Sequence, residues 1–131
     1  MKILGIDYGE KRIGLAISDE TQTLARELEI VSPQAIMEKL ASLILSDEIG
    51  TIVVGLPINM DGQPTPKTEE TQKFIEKLKQ QFSVSIETFD ERLSSKMAQS
   101  ITHENKNLDS LAAQIILQNY LDKTKAQSVH E

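Results

Sequence analysis

The fold is decided by the segment Lys2-Ile3-Leu4-Gly5-Ile6-Asp7-Tyr8-Gly9-Glu10-Lys11-Arg12-Ile13-Gly14-Leu15-Ala16-Ile17-Ser18-Asp19. It contains two short apolar runs, residues 2–8 and 11–19, and each has the length of a buried strand. The link between them, about two or three residues, contains Gly9, which favours an antiparallel hairpin. The first run contains Asp7 near its end, and strand interiors disfavour aspartate. The segment therefore predicts the start of a sheet with a carboxylate at one strand end.

The rest of the chain alternates between strand and helix patterns. Further strands are predicted over residues 23–31, 51–56 and 84–89. Helices are predicted from an N-cap at Ser32 to about residue 47, and over residues 66–82, 94–102 and 108–122. The order is βββαβαβαα, and the last two strands must be joined by right-handed parallel crossovers. The predicted class is α/β, a five-stranded mixed sheet with helices on both faces.

Length and composition restrict the kind of protein. The 131 residues suit one domain, predicted over 1–123, followed by a polar tail over 124–131. The absence of cysteine excludes disulfides and thiolate metal sites and favours a reducing compartment. The chain has no apolar stretch long enough for a membrane helix, and its first apolar run is too short for a signal peptide. These features predict a cytoplasmic protein.

The net charge of −6 has the wrong sign for a protein that coats nucleic acid. The distribution of charge is more informative than its sum. Three carboxylates, Asp7, Glu91 and Asp109, have basic residues close to them in sequence. These basic residues are Lys11, Arg12, Arg92, Lys96 and Lys106. A local cluster of basic residues in a protein that is acidic elsewhere suits an enzyme that binds a phosphate backbone transiently. A solvated surface of mixed charge is the alternative explanation.

Three carboxylates are candidates for a functional site. Asp7 and Glu91 come at the ends of predicted strands, and Asp109 lies near the start of the last helix. Ligands of open α/β sheets bind beyond the carboxyl ends of the strands. Three carboxylates gathered there, in a chain without cysteine, would suit a hard cation such as Mg²⁺ or Mn²⁺. Each also has a structural explanation: an Asx-turn for Asp7, solvation or pairing for Glu91, and the helix dipole for Asp109.

Four motifs in this sequence resemble those of the YqgF family, which is related to the RuvC Holliday junction resolvases. They are Gly5-Ile-Asp-Tyr-Gly-x-Lys-Arg-Ile-Gly-Leu-Ala-Ile-Ser-Asp19, Val54-Gly-Leu-Pro-x-Asn-Met-Asp-Gly62, Asp90-Glu-Arg-Leu-Ser94 and Asp109-Ser-Leu-Ala-Ala-x-Ile-Ile-Leu-Gln-x-Tyr-Leu121. They occur in family order and span nearly the whole chain. The resemblance implies a ribonuclease H-like fold and an enzyme that matures the 5′ end of pre-16S rRNA in the bacterial cytoplasm.

The resemblance also implies roles for particular residues. Asp7, Glu91 and Asp109 correspond to the catalytic, metal-binding carboxylates, with Mg²⁺ or Mn²⁺ as the cofactor. The residues expected to bind substrate are Lys11, Arg12, Asn59 and Arg92. Two departures from the pattern concern substrate and metal. Many relatives have a longer, Lys/Arg-rich segment before the last aspartate, whereas this chain has only residues 103–107 there. RuvC-type sites have a further carboxylate at the position where this chain has Ala112.

The function predicted from the sequence is a metal-dependent nuclease, a hydrolase of phosphodiester bonds that acts on pre-16S rRNA. One alternative is a Holliday junction resolvase that cleaves branched DNA with the same chemistry. The other is a non-catalytic module for nucleic-acid binding or ribosome assembly. A sugar-kinase-like ATPase is disfavoured, because that architecture needs two such domains. The expected partner is nucleic acid, with no membrane, and the protein is expected to be a monomer or homodimer.

Overall fold

The structure is a computed structural model that describes the backbone of residues 1–91 and 108–129, and the side chains of residues 1–91 and 111–125. The strands in this part are β1 (Lys2–Asp7), β2 (Ile13–Ser18), β3 (Ala25–Val31), β4 (Ile49–Leu56) and β5 (Ser85–Asp90). The helices are α1 (Ile36–Ser46), α2 (Pro66–Gln81) and α3 (Leu108–Val129). The helix predicted over 94–102 lies outside the described residues.

The strands form one sheet in the order β3-β2-β1-β4-β5. Strand β2 pairs antiparallel with both β1 and β3, whereas β4 pairs parallel with β1 and with β5. The predicted mixed sheet of five strands is therefore confirmed. Strand β1 lies in the middle, and residues 3–6 of it are all buried because both faces of the sheet are covered.

The link between β1 and β2 is longer than predicted. It spans residues 8–12, because β2 begins only at Ile13. The loop folds back tightly at Gly9, where an added Cβ would lie 2.4 Å from the carbonyl oxygen of Arg12. The charged side chains of Lys11 and Arg12 are exposed in this loop rather than carried on a strand.

Helices cover both faces of the sheet, as predicted. One face buries a cluster to which β1 contributes Leu4 and Ile6. Helices α1 and α2 complete this cluster with Ile36, Leu40, Leu43, Phe74, Ile75 and Leu78. The opposite face buries Ile3 of β1 under α3, which contributes Ala113, Ile116, Leu117 and Leu121. The alternation of side chains along β1 assigns successive residues to the two clusters.

Helix α3 packs unusually close to the central strand. A Cβ added at Gly5 would lie 2.8 Å from the Cβ of Leu117 and 3.2 Å from the carbonyl oxygen of Ala113. Only glycine leaves room for this approach, which explains a strand-interior glycine that otherwise costs stability. The contact places α3 directly over the middle of β1.

The direction of α3 follows from contacts farther along the helix. The side-chain carbonyl of Gln118 accepts a hydrogen bond from the backbone N–H of Ala25 (2.8 Å), and its amide donates to the carbonyl of Thr23 (3.0 Å). Ala25 pairs with Ser18, which lies beside the start of β1. The helix therefore runs antiparallel to β1, and its first turn points towards the strand end that carries Asp7.

The helix boundaries differ from the prediction in two places. Helix α1 has its N-cap at Ala35 rather than Ser32, because residues 32–35 form a turn in which Ala35 N–H donates to the carbonyl of Ser32 (3.1 Å). Helix α3 continues to Val129, beyond the predicted end at residue 122. Of the helices described, none combines the length and apolar character needed to cross a lipid bilayer.

Candidate functional site

The parallel strands bring Asp7 and Glu91 to one edge of the sheet. In the register of β1 and β4, Ile6 pairs with Val54, so the next residues along are Asp7 and Gly55. Strand β5 lies on the other side of β4 and ends at Asp90, directly before Glu91. Both carboxylate residues thus stand at the carboxyl ends of parallel strands that flank β4, where open α/β sheets bind ligands.

The space between these strand ends exists because residue 55 has no side chain. A Cβ added at Gly55 would lie 3.0 Å from the Cγ and 3.2 Å from the Cδ of Glu91. It would also lie 2.5 Å from the Cδ1 of Ile116 on α3. The Glu91 side chain therefore lies across β4 at Gly55, next in register to Asp7, and beneath α3.

The side chain of Glu91 is partly buried. Burial raises its pKa; the positive charge of Lys67 acts in the opposite direction, and the nearby Asp90 adds to the increase. A raised pKa means that the surroundings disfavour the carboxylate form in the metal-free protein. A bound cation would reverse that preference, which is the behaviour expected of a metal ligand.

We expect Glu91→Gln to be more stable than the wild-type protein at pH 7 in EDTA, by about 1 kcal/mol. A carboxyl pKa that folding raises favours the folded state below the ordinary glutamate pKa, and this contribution is lost as pH rises through the folded-state pKa. The advantage of Glu91→Gln should therefore shrink as pH falls to about 4. Urea unfolding in EDTA at the two pH values measures it. A variant less stable than wild type at pH 7 would show that the Glu91 carboxylate stabilises the fold.

Asp109 is the third predicted carboxylate. Its backbone lies in the first turn of α3, one helical turn before Ala113, and its side chain lies outside the described ones. The direction of α3 puts that turn at the Asp7 end of β1. Among the side chains that the structure describes, no three histidine, cysteine or acidic residues converge on a metal position. Asp109 as the third ligand stays a prediction.

The donor set of the described site is compatible with a hard cation. Asp7 and Glu91 supply carboxylate oxygens, and the sequence contains no cysteine. Oxygen ligands are those that Mg²⁺ and Mn²⁺ prefer. Gly55 leaves room above β4. Because Glu91 is partly buried, its carboxylate form is poorly solvated. These observations fit a divalent cation held by carboxylates from different strands.

Of the predicted substrate-binding residues, the three that the structure describes lie in loops that follow the carboxyl ends of β1 and β4. Lys11 and Arg12 are exposed in the loop that follows β1. Asn59 is exposed in the loop that follows β4, where its backbone N–H donates to Gln63 (3.0 Å) and its carbonyl accepts from Gly62 (2.8 Å). Arg92 lies outside the described residues. The roles of all four residues stay predictions.

One residue of this edge was missed by the sequence analysis. Lys67, in the first turn of α2, is close enough to Glu91 for its charge to act on that carboxyl group. The sequence does contain an indication of it. Lys67 follows the first proline of a helix, where a positive charge opposes the helix dipole, so helix stability does not explain a lysine at this position. Its proximity to Glu91 depends on the packing of α2 and could not be read from sequence spacing.

Comparisons with known proteins agree with the architecture. The family model described as "RuvX: Holliday junction resolvase" matches residues 1–123. A relative from Thermoanaerobacter pseudethanolicus, named "Putative pre-16S rRNA nuclease", is 40% identical over 95% of this chain and 99% of its own length. A relative of the same name from Streptococcus agalactiae is 37% identical over 94% and 99% of the two chains.

Solved structures share the fold at low identity. The Thermus thermophilus RuvC in complex with a Holliday junction substrate superposes with a TM-score of 0.61 and 16% identity, over 95% of this chain and 96% of that one. The fowlpox virus Holliday junction resolvase gives 0.54 and 13%, over 94% and 99%. These likenesses confirm the ribonuclease H-like fold. The family match over residues 1–123 and the 40% identity over nearly the full length show that this chain belongs to the RuvX family.

Proposed function

We propose that this protein is a metal-dependent nuclease that hydrolyses phosphodiester bonds at the 5′ end of pre-16S rRNA. The observation that carries the proposal is that the partly buried Glu91 side chain lies over Gly55, the residue of β4 that is next in register to Asp7. Membership of the RuvX family and relatives named as pre-16S rRNA nucleases support it. In this proposal residues 1–123 form the nuclease domain, and the protein acts in the bacterial cytoplasm as a monomer or homodimer.

Each part of the edge has a role in the proposed reaction. Asp7, Glu91 and Asp109 would hold Mg²⁺ or Mn²⁺, and the ion would lower the pKa of a water molecule and stabilise charge on the phosphate. The sheet register holds Asp7 beside the position over which Glu91 lies, so two ligands are oriented before the cation binds. Arg12 and Arg92 stabilise the negative charge of the phosphate, and Lys11 and Asn59 contact the neighbouring nucleotides.

Branched DNA is a second candidate substrate. The description of the matching family model, Holliday junction resolvase, favours it. The short segment over residues 103–107 weakens it, because little basic chain is available there to hold a large four-way junction. We therefore rank pre-16S rRNA first.

The decisive experiment incubates the protein with a pre-16S rRNA fragment and a four-way DNA junction in parallel. We expect cleavage of the RNA in Mg²⁺ and Mn²⁺ and none in EDTA or Ca²⁺, because Ca²⁺ accepts irregular geometry and positions water poorly. Asp7→Asn protein in each condition controls for contaminating nucleases. Undiminished cleavage in EDTA would refute the metal mechanism, and binding of RNA without cleavage would favour a non-catalytic ribosome-assembly module.

We expect Arg12→Ala and Arg92→Ala each to weaken RNA binding and reduce its salt dependence. Each phosphate contact contributes about 0.7 to the slope of log K against log salt for a single strand. Fluorescence anisotropy at several salt concentrations measures that slope in Ca²⁺, where the RNA should stay intact. An unchanged slope for both variants would show that these arginines serve the fold rather than the substrate.

A further inference from the structure

A cavity opens close to the proposed catalytic edge of the sheet. Its volume is about 440 Å³, and it lies between the β1–β2 loop and the first turn of α2. The lining side chains are Glu10, Lys11, Pro66, Lys67 and Glu70. The loop that forms one wall begins directly after Asp7, so the cavity borders the position of the carboxylates. Lys11 and Lys67 bring two ammonium groups to this single cleft.

The backbone of Lys67 is held rigidly at this place. It lies between Thr65 and Thr68, whose side chains and backbone N–H groups cap the helix reciprocally at 3.2 Å and 2.9 Å. The buried Thr68 hydroxyl also donates to the carbonyl of Pro57, which follows β4. The fully buried Thr71 hydroxyl donates to the carbonyl of Lys67 itself (2.8 Å). These contacts fasten the first turn of α2 to the strand end beside the site.

The charge of Lys67 is unfavourable for the helix that carries it. Cations near a helix N-terminus oppose the macrodipole. Glu70 lies three residues farther along and offsets part of this cost as a helix-surface pair. Local stability therefore gives little reason for a lysine here. The exposed side chain of Lys67 instead lines the cleft together with that of Lys11.

We propose that Lys67 is a substrate-binding residue, and that its ammonium group and that of Lys11 hold a backbone phosphate of single-stranded RNA in the cleft between the β1–β2 loop and α2. This inference rests on the proposed nuclease function and extends its substrate contacts. The β1–β2 loop would separate a phosphate in the cleft from the strand end that carries Asp7. The phosphate would therefore belong to a nucleotide that neighbours the scissile bond.

The acidic residues of the cleft restrict how the phosphate is held. Glu10 and Glu70 both line it, and the proximity of Glu10, together with burial, raises the pKa of Glu70. Two carboxylates facing each other repel a free anion. The cleft is thus suited to a phosphate that is already anchored at the metal site through the same strand, rather than to inorganic phosphate alone.

The test measures binding of a labelled single-stranded RNA that carries the pre-16S 5′ junction, in Ca²⁺, over about 50–200 mM salt. We expect Lys67→Ala to reduce the salt slope by about 0.7 and to weaken binding about fivefold near 0.1 M salt. Lys67→Arg should retain the wild-type slope. Lys77→Ala removes the same charge from an exposed position ten residues farther along α2 and should leave binding unchanged. Thermal melts should show Lys67→Ala to be at least as stable as wild type.

The outcomes separate this inference from the nuclease proposal. Equal slopes for Lys67→Ala and Lys77→Ala would overturn the role of Lys67, whether or not the wild-type protein cleaves RNA. A wild-type protein that binds RNA but cleaves none in Mg²⁺ or Mn²⁺ would overturn the nuclease proposal, while a slope reduced only by Lys67→Ala would still support the binding role. A wild-type protein that does not bind the RNA would overturn the inference.

Discussion

We expect Asp7→Asn to lower the rate of RNA cleavage by about 100-fold or more while the protein remains folded. The substitution keeps the shape of the side chain and removes an anionic ligand at the carboxyl end of β1. Loss of a few kcal/mol of metal-dependent stabilisation of the transition state corresponds to this factor. Single-turnover cleavage of the pre-16S rRNA fragment in Mg²⁺ measures it.

Thermal melts of the same pair of proteins show whether Asp7 is a ligand or a structural residue. If the three carboxylates converge, removing one charge relieves repulsion in EDTA, so Asp7→Asn should match wild type or exceed it by about 1 kcal/mol. Mg²⁺ should then stabilise wild type by mass action and the variant much less. A variant that melts clearly below wild type in EDTA, with no Mg²⁺ effect on wild type, would contradict the catalytic role.

We expect Gly55→Ala to reduce cleavage about 10- to 100-fold, far beyond its effect on the fold. The new Cβ would lie 3.0 Å from the Cγ of Glu91 and 2.5 Å from the Cδ1 of Ile116, so both side chains must move. Displacement of a catalytic group by about 1 Å can cost about 100-fold in rate. Crowding in the buried contact should cost about 1–3 kcal/mol of unfolding free energy. Cleavage rates at a temperature well below the melting point separate the two effects.

Gly50→Ala is the matched control for Gly55→Ala. Gly50 lies in the same strand, β4, but the three atoms nearest to its added Cβ all belong to the exposed side chain of Met1, with the Sδ at 2.9 Å. That side chain can move aside at little cost, so cleavage should stay near the wild-type rate. Gly55→Ala with the activity of Gly50→Ala would show that the position of Glu91 over β4 does not matter for the reaction.

Local sequence patterns predicted most of the architecture correctly. The strands, the three described helices and the placement of helices on both faces follow from apolar spacing, which depends only on neighbouring residues. The start of α1 was misplaced because Ser32 and Pro33 form an acceptable helix start, yet in the structure residues 32–35 form a turn. The β1–β2 link was predicted too short because its closure depends on contact between Gly9 and the carbonyl of Arg12.

The order of strands and helices, the family motifs and the position of Asp7 at a strand end follow from the amino-acid sequence alone, because each depends on residues close together along the chain. The position of Glu91 across Gly55 and the proximity of Lys67 to Glu91 depend on packing. Those residues are separated by dozens of positions, and parallel pairing of β4 with β1 and β5, with α2 packed beside them, brings them together. Asp7 and Glu91 could be named from strand ends, whereas the partial burial of Glu91 and the proximity of Lys67 depend on how the sheet and helices pack.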